Sequence, residues 1–302
     1  MAISAKVDNE VQVKKPNSVA TAPQFSLADW GSEDRVLNFE NVDQVFKLID
    51  ELGKQEVDDN FLFFKNVTER DFQVLEGKLS LSGRRMKLCH ISYIKFLIVQ
   101  VPTLPHGNAE REFEFMFRTK LKNMGIKDSE LSAVGAGRIE WQTSAGPVRK
   151  EGDSAYINDL LDPFGDPHFV VEVGVTQTLK SLRSIARLWI SKGDVQLVVI
   201  IKIDRKAQTM RFEKWIPITD NPTEGQEVRA KQSGKYTFIN IRTLQMTGDV
   251  PFNLDFERVV GRPPQSPREK VTIVFRRQDL RSLAEKVGLK ILHDRARSIQ
   301  QA

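Results

Sequence analysis

Cysteine and long apolar runs are the two features that this sequence most clearly lacks. Cys89 is the only cysteine among 302 residues, so an internal disulfide and a cysteine-based zinc site are both excluded. No run approaches the roughly 18 apolar residues of a membrane span, and the first ten residues lack the apolar core of a secretory signal. We therefore expect a protein of a reducing compartment, cytoplasmic or nuclear, with no membrane partner.

Histidine is also scarce. The four histidines are scattered and lack the spacing of a metal-binding motif: His90, His106, His168 and His293. We therefore expect no histidine metal cluster, and we interpret each histidine as a surface or packing residue.

Positive charge is in modest excess and is unevenly distributed. The formal net charge is +5, and the segment from Gly261 to the end holds ten Lys or Arg residues against four Asp or Glu residues. Such a surplus is compatible with nucleic-acid contact and equally with a solubilising or targeting tail. The length allows one large domain with appendages and a sizeable core.

Composition and periodicity divide the chain into four segments. Residues 1–30 are polar and aperiodic, which predicts disorder. Residues 31–107 form a helical accessory lobe, whose first helix is capped by Asn41 and whose apolar segments fit either strand or buried helix. Residues 108–220 form the core, and residues 221–302 form a C-terminal extension with the basic tail.

Helical and strand patterns alternate within the core and predict an α/β fold. A helix capped by Asn108 is followed by a hairpin, whose second strand, over 148–157, carries Asp153. A strand with Glu172 comes next, then a helix capped by Thr178, then an almost continuously apolar strand over 195–203. The last three elements predict a parallel crossover unit, which is right-handed if both strands share a sheet.

Glu172 stands out because its strand is otherwise apolar, with valine on both sides. Burying a carboxylate costs several kcal/mol unless it is paired, metal-bound or near the sheet rim. Asp153 begins the preceding short strand, so two acids are expected on adjacent strands.

This order of elements resembles the core of the PD-(D/E)XK nuclease superfamily, and in particular its restriction-endonuclease-like branch. The matching pieces are Lys150-Glu-Gly-Asp-Ser154, Val170-Val-Glu-Val173, the helix over 179–189 and the strand over 195–204. The resemblance covers residues 108 to 216, and its motifs are short. It implies a mixed sheet flanked by helices and a nucleic-acid substrate.

The resemblance also implies a site. Asp153 and Glu172 would hold Mg²⁺ or Mn²⁺, and Glu110 on the first helix could face the same metal. The lysine that the family places two residues after the second acid is Gly174 here, and the proline of the "PD" pair is Gly152. By resemblance, the basic role passes to the next helix, whose candidates are Lys180 and Arg183, with Gln177 as a further polar group.

Each of these residues also has a purely structural interpretation. Glu172 could form a salt bridge with Arg183 or Lys202, and Asp153 could end a turn. Glu110 could stabilise a helix N-terminus, and the helix cations could form a solvated face. Three functions therefore stay open: a metal-dependent nuclease, a nucleic-acid-binding module without catalysis, and a protein-interaction scaffold. The oligomeric state does not follow from the sequence.

Overall fold

The structure is a computed structural model that describes residues 36–54, 61–84, 86–101, 104–134, 138–163, 165–218 and 228–301. The segment predicted to be disordered, 1–30, lies outside these residues. The strands are β1 (Val36–Asn38), β2 (Phe61–Lys65), β3 (Lys87–Ile91), β4 (Phe96–Gln100), β5 (Leu131–Ala133), β6 (Arg138–Thr143), β7 (Gly146–Glu151), β8 (Ser154–Asn158), β9 (Phe169–Gly174), β10 (Leu197–Asp204), β11 (Thr209–Pro217), β12 (Ala230–Gln232), β13 (Thr237–Asn240), β14 (Met246–Gly248), β15 (Phe252–Asp255) and β16 (Thr272–Phe275). The helices are α1 (Val42–Lys54), α2 (Glu69–Ser82), α3 (Leu104–Met124), α4 (Leu179–Ser191), α5 (Phe256–Val260) and α6 (Arg277–Gln301).

The N-terminal lobe is built on a six-stranded sheet with the order β1-β2-β4-β3-β7-β6. The predicted helix α1 is present, and the Asn41 side chain accepts from the Gln44 amide at 2.9 Å. The apolar segments that the sequence left ambiguous are strands whose side chains alternate between two cores. One core includes Leu62 and Phe64 with α1 and α2, and the other includes Phe61 and Phe63 with α4. The expectation of a helical lobe was therefore incomplete, because the lobe mixes both kinds of element.

The core is an eight-stranded sheet with the order β14-β13-β11-β10-β9-β8-β5, and β12 pairs with β11. Strands β9 and β10 are parallel and joined through α4, as the crossover prediction requires. Thr178 caps α4 by accepting from the Ser181 amide at 3.1 Å. After the helix, Gly193 takes a φ of 97°, a conformation that glycine adopts without a steric penalty. The fold class is thus mixed α/β, with mixed sheets flanked by helices.

Helix α4 lies between the two sheets, and its apolar residues share one core with both of them. The other face of the eight-stranded sheet packs against α3, α5 and α6. Among the helices of the described ranges, none combines the length and the apolar character that crossing a bilayer requires.

Two predicted boundaries were wrong, and both matter for the site. The single strand expected over 148–157 is split, because β7 and β8 belong to different sheets. The junction is Gly152–Asp153, where a Cβ on Gly152 would lie 3.3 Å from the Trp189 ring, so a proline or a larger residue would crowd the indole. Helix α3 begins at Leu104 rather than after Asn108, which places Asn108 inside the helix.

Candidate metal centre

Asp153 and Glu172 lie side by side at the junction between the two sheets. Strands β8 and β9 are antiparallel with Ser154 opposite Val171, so one step along the same register sets Asp153 opposite Glu172. Asp153 Oδ2 accepts from the Val173 amide at 2.6 Å, which is the amide that follows Glu172. The predicted adjacency of the two acids therefore holds.

Asp153 contacts two basic side chains that the sequence analysis did not connect with it. Lys87 Nζ lies 2.5 Å from Asp153 Oδ1, and His106 Nε2 lies 3.1 Å from Asp153 Oδ2. The Asp153 side chain is only 1% exposed. Burial alone would raise the pKa of Asp153, but the charges of His106 and Lys87 hold it well below its usual range.

Helix α3 contributes the remaining members. His106 and Glu110 are four residues apart and therefore share a helix face. Glu110 Oε2 lies 3.6 Å from Lys87 Nζ, and Glu110 Oε1 accepts from the Ser154 hydroxyl at 3.3 Å. Burial and the charge of Asp153 raise the pKa of Glu110.

One ligand atom from each of His106, Glu110 and Asp153 lies within 4.8 Å of the other two. Two carboxylate oxygens and an imidazole nitrogen suit Mn²⁺ and other first-row divalent ions, and the oxygens alone suit Mg²⁺. The Lys87 ammonium reaches both carboxylates, so the position between them already accommodates a positive charge. The donor set therefore fits a divalent cation, and His106, which we interpreted from the sequence as a surface or packing residue, lies in this candidate group.

Glu172 is held by a separate pair of groups. Lys150 Nζ lies 3.0 Å from Glu172 Oε1, and the Trp189 indole donates to the same oxygen at 2.5 Å. Burial raises the pKa of Glu172, and the charge of Asp153 adds to this effect against the opposing charge of Lys150. Burial lowers the pKa of Lys150, but Glu172, Cys89 and Asp153 together outweigh this effect, and the net direction is upward.

The salt-bridge alternatives proposed for Glu172 were wrong in their partners. Arg183 donates to both carboxylate oxygens of Glu213 on β11, at 2.9 and 2.7 Å. Lys202 donates to the carbonyl of Val175. Glu172 is instead paired with Lys150, which the sequence places in the matching motif but to which it assigns no role.

The other predicted members have different settings. Lys180 is exposed in the first turn of α4, and Gln177 is buried and donates to the Ser181 hydroxyl at 3.1 Å. Their catalytic roles, and that of Arg183, stay predictions.

Leu182 packs over Gly174, the position at which the resemblance would place a lysine. A Cβ at this position would lie 2.6 Å from Leu182 Cδ1 and 2.9 Å from Leu182 Cδ2. Helix α4 therefore occupies the space into which a side chain would project. The lysines of the cluster, Lys87 and Lys150, come from β3 and β7 of the neighbouring sheet.

The basic C-terminal region is partly neutralised. Arg262 contacts Glu130 at 2.7 Å and Glu269 at 2.8 Å, and Lys286 on α6 contacts Glu112 on α3 at 2.6 Å. Part of the positive surplus therefore serves packing of the extension on the core.

Comparison with known proteins gives a low structural similarity without a sequence match. No family model matches the chain, and no curated protein matches its sequence. Among solved structures, it is similar to a protein of Anabaena variabilis described as a putative nuclease belonging to DUF820, at 13% identity and a TM-score of 0.36. That similarity covers 65% of this chain and 90% of the other. A match of this size does not bear on the chemistry of the site.

Proposed function

We propose that this protein is a metal-dependent phosphodiesterase that acts on DNA or RNA. The observation that carries the proposal is the convergence of His106, Glu110 and Asp153 ligand atoms within 4.8 Å, beside Glu172 and two lysines. The PD-(D/E)XK resemblance supports it independently, since Asp153 and Glu172 are the two acids that the motif requires.

In this proposal Asp153, Glu110 and His106 hold Mg²⁺ or Mn²⁺, with Glu172 beside them. The bound ion would neutralise phosphate charge and lower the pKa of an attacking water. The protein's own groups then orient the substrate and balance charge.

Lys87 is suited to contact the phosphate. Burial lowers the pKa of Lys87, but Asp153 and Glu110 outweigh this effect and raise it, so the side chain is charged at neutral pH and cannot act as a base. Its ammonium can move from the carboxylates to a phosphate oxygen and stabilise the charge that develops there. Lys150 and Trp189 act as positioning residues by fixing the carboxylate of Glu172.

Cleavage of supercoiled plasmid and of single-stranded oligonucleotide with Mg²⁺ or Mn²⁺ tests the proposal. We expect nicking by the wild type, and a loss of at least about 100-fold in Asp153→Asn and Glu172→Gln, the range for removing a group that stabilises transition-state charge. Asp128→Asn is the matched control, because the Asp128 side chain is 91% exposed. Equal activity in the two site variants and the control would refute the assignment.

A nucleic-acid-binding module without catalysis is the second candidate. The observation that favours it is charge compensation, since Lys87 and Lys150 already pair with Asp153 and Glu172. This alternative predicts affinity that falls steeply with salt, as phosphate contacts release counterions, with no dependence on divalent ions.

A further inference from the structure

A polar cavity lies at the carboxyl ends of the parallel strands β9 and β10. Its volume is about 180 Å³, and it is lined by Val175, Thr176, Lys202, Asp204, Arg205 and Lys206. One water needs only about 10–15 Å³ by a comparable measure, so the space admits a larger polar group. In open α/β sheets, ligands bind outside the carboxyl ends of the strands, which makes this cavity a candidate for binding.

The charge of the lining favours an anion. Lys202, Arg205 and Lys206 carry positive charge, against the single carboxylate of Asp204. Asp204 Oδ1 accepts from the Ala207 amide at 2.8 Å, so this carboxylate also shapes the turn between β10 and β11. The lining of the cavity therefore has an excess of cations.

Lys202 supplies the second line of support. It is partly buried, and its Nζ donates to the carbonyl of Val175. Burial lowers the pKa of Lys202 to about 8, against the opposing influence of Asp204. An ammonium held partly away from water is stabilised by a nearby anion, so an anionic ligand would favour the charged form of Lys202.

The strand register relates the cavity to Glu172. Lys202 pairs with Gly174 across the two parallel strands, and Ile200 pairs with Glu172. Because side chains alternate with a period of two, Lys202 and Glu172 share one face of the sheet, about 7 Å apart along the strand direction. None of the residues that line the cavity is His106, Glu110 or Asp153, so the cavity is separate from the candidate metal ligands.

We infer that the cavity around Lys202, Arg205 and Lys206 is a phosphate-binding subsite for the backbone of the nucleic-acid strand. This inference rests on the proposed function. It adds a backbone-positioning contact, which is independent of base sequence and separate from the metal ligands.

Fluorescence anisotropy with a labelled single-stranded oligonucleotide, in EDTA and over a range of salt concentrations, tests the subsite without cleavage. The slope of log affinity against log salt should become shallower by about 0.7 for each phosphate that the protein no longer neutralises. We expect this change and a five- to tenfold weaker affinity in Lys202→Met, and a larger change in the Lys202→Met/Arg205→Gln pair. Lys47→Met is the matched control, because it removes the same charge from a side chain that is 77% exposed on α1.

Lys202→Arg separates charge from folding, because it should keep the wild-type affinity and salt slope. A salt slope in Lys202→Met equal to that of Lys47→Met would overturn the inference. A second experiment compares how well inorganic phosphate and the oligonucleotide protect Lys202 from acylation. Protection by phosphate but not by the oligonucleotide would also overturn the inference, because the cavity would then be a site for free phosphate. Neither outcome depends on cleavage. A result against the subsite is therefore distinguishable from a result against the proposed nuclease activity, which is tested by cleavage in Asp153→Asn.

Discussion

Lys150 Nζ lies 3.0 Å from Glu172 Oε1, and the two side chains are only 5% and 4% exposed. Because each charge is out of water, each is stabilised mainly by the other, and removing one leaves the other uncompensated. Glu172, which we predicted from the sequence resemblance to hold a metal, is therefore already balanced by a lysine from the neighbouring sheet. This pair joins the N-terminal sheet to the core at the candidate site.

Removing one member of this pair should destabilise the fold more than removing both. We expect Lys150→Met to lower the free energy of unfolding by about 3–5 kcal/mol, because it leaves a buried carboxylate unpaired. The double variant Lys150→Met/Glu172→Leu should recover part of that decrease, although Trp189 Nε1 then lacks its acceptor, at a cost of about 1–3 kcal/mol. Urea unfolding of the wild type, the two single variants and the double variant measures this coupling. Strictly additive decreases would show that the two side chains do not stabilise each other.

Lys87 should affect catalysis and metal affinity in opposite directions. Its ammonium lies 2.5 Å from Asp153 and 3.6 Å from Glu110, so it competes with a cation for the same oxygens. We expect Lys87→Met to bind Mn²⁺ more tightly than the wild type while cleaving at least about 100-fold more slowly, since a charge that stabilises the phosphate is gone.

Calorimetric titration and oligonucleotide cleavage measure the two effects of Lys87→Met separately. Lys78→Met, which removes a half-exposed lysine from α2, should change neither the Mn²⁺ affinity nor the cleavage rate. Weaker Mn²⁺ binding in Lys87→Met would contradict the competition described above.

Gly174 should tolerate a side chain only when Leu182 is made smaller. A Cβ at Gly174 would lie 2.6 Å from Leu182 Cδ1, so Gly174→Ala overpacks this region and should cost about 1–3 kcal/mol. Leu182→Ala opens a cavity and should cost about 2–5 kcal/mol. We expect the double variant to be more stable than the sum of the two costs predicts. Thermal and urea unfolding of the wild type, the two single variants and the double variant measure these costs. If the two positions do not touch, the cost of the double variant will equal the sum of the two single costs.

His90 should make the stability of the N-terminal sheet depend on pH. Its ring is fully buried, stacks on Phe72 with centroids 4.6 Å apart, and places Nε2 3.1 Å from the Val67 carbonyl. Burial lowers the pKa of His90 from 6.5, although Glu69 opposes the shift. Below about pH 6.5 the unfolded chain therefore binds more protons than the folded chain. The free energy of unfolding is accordingly higher above that pH and decreases as pH falls.

Urea unfolding of the wild type and of His90→Gln between about pH 7.5 and 5.5 measures this effect, because a glutamine can still donate to Val67 but does not titrate. The wild type should lose more stability than the variant over this range. If the free energies of unfolding of the wild type and the variant change in parallel with pH, His90 has the same pKa in the folded and the unfolded protein.

The sequence predicted the parts of the site that depend on local order. Asp153 and Glu172 were expected to be neighbours because the strands that carry them follow each other closely, and α4 was predicted from its Thr178 cap and its period. His106 was missed because helix α3 was expected to begin after it, which concealed its i,i+4 relation to Glu110. Lys87 was missed because the pairing of β3 with β7 joins segments far apart in the chain, and no local pattern encodes that pairing.

The central claim is that His106, Glu110 and Asp153 bind a divalent cation. Calorimetric titration of the purified protein with Mn²⁺ tests it most directly. The account predicts a saturable site in the wild type, with affinity at least about tenfold weaker in His106→Gln and in Glu110→Gln and no saturable binding in Asp153→Asn. Asp128→Asn should match the wild type. Saturable binding of equal affinity in Asp153→Asn, or no binding by the folded wild type at millimolar Mn²⁺, would contradict it.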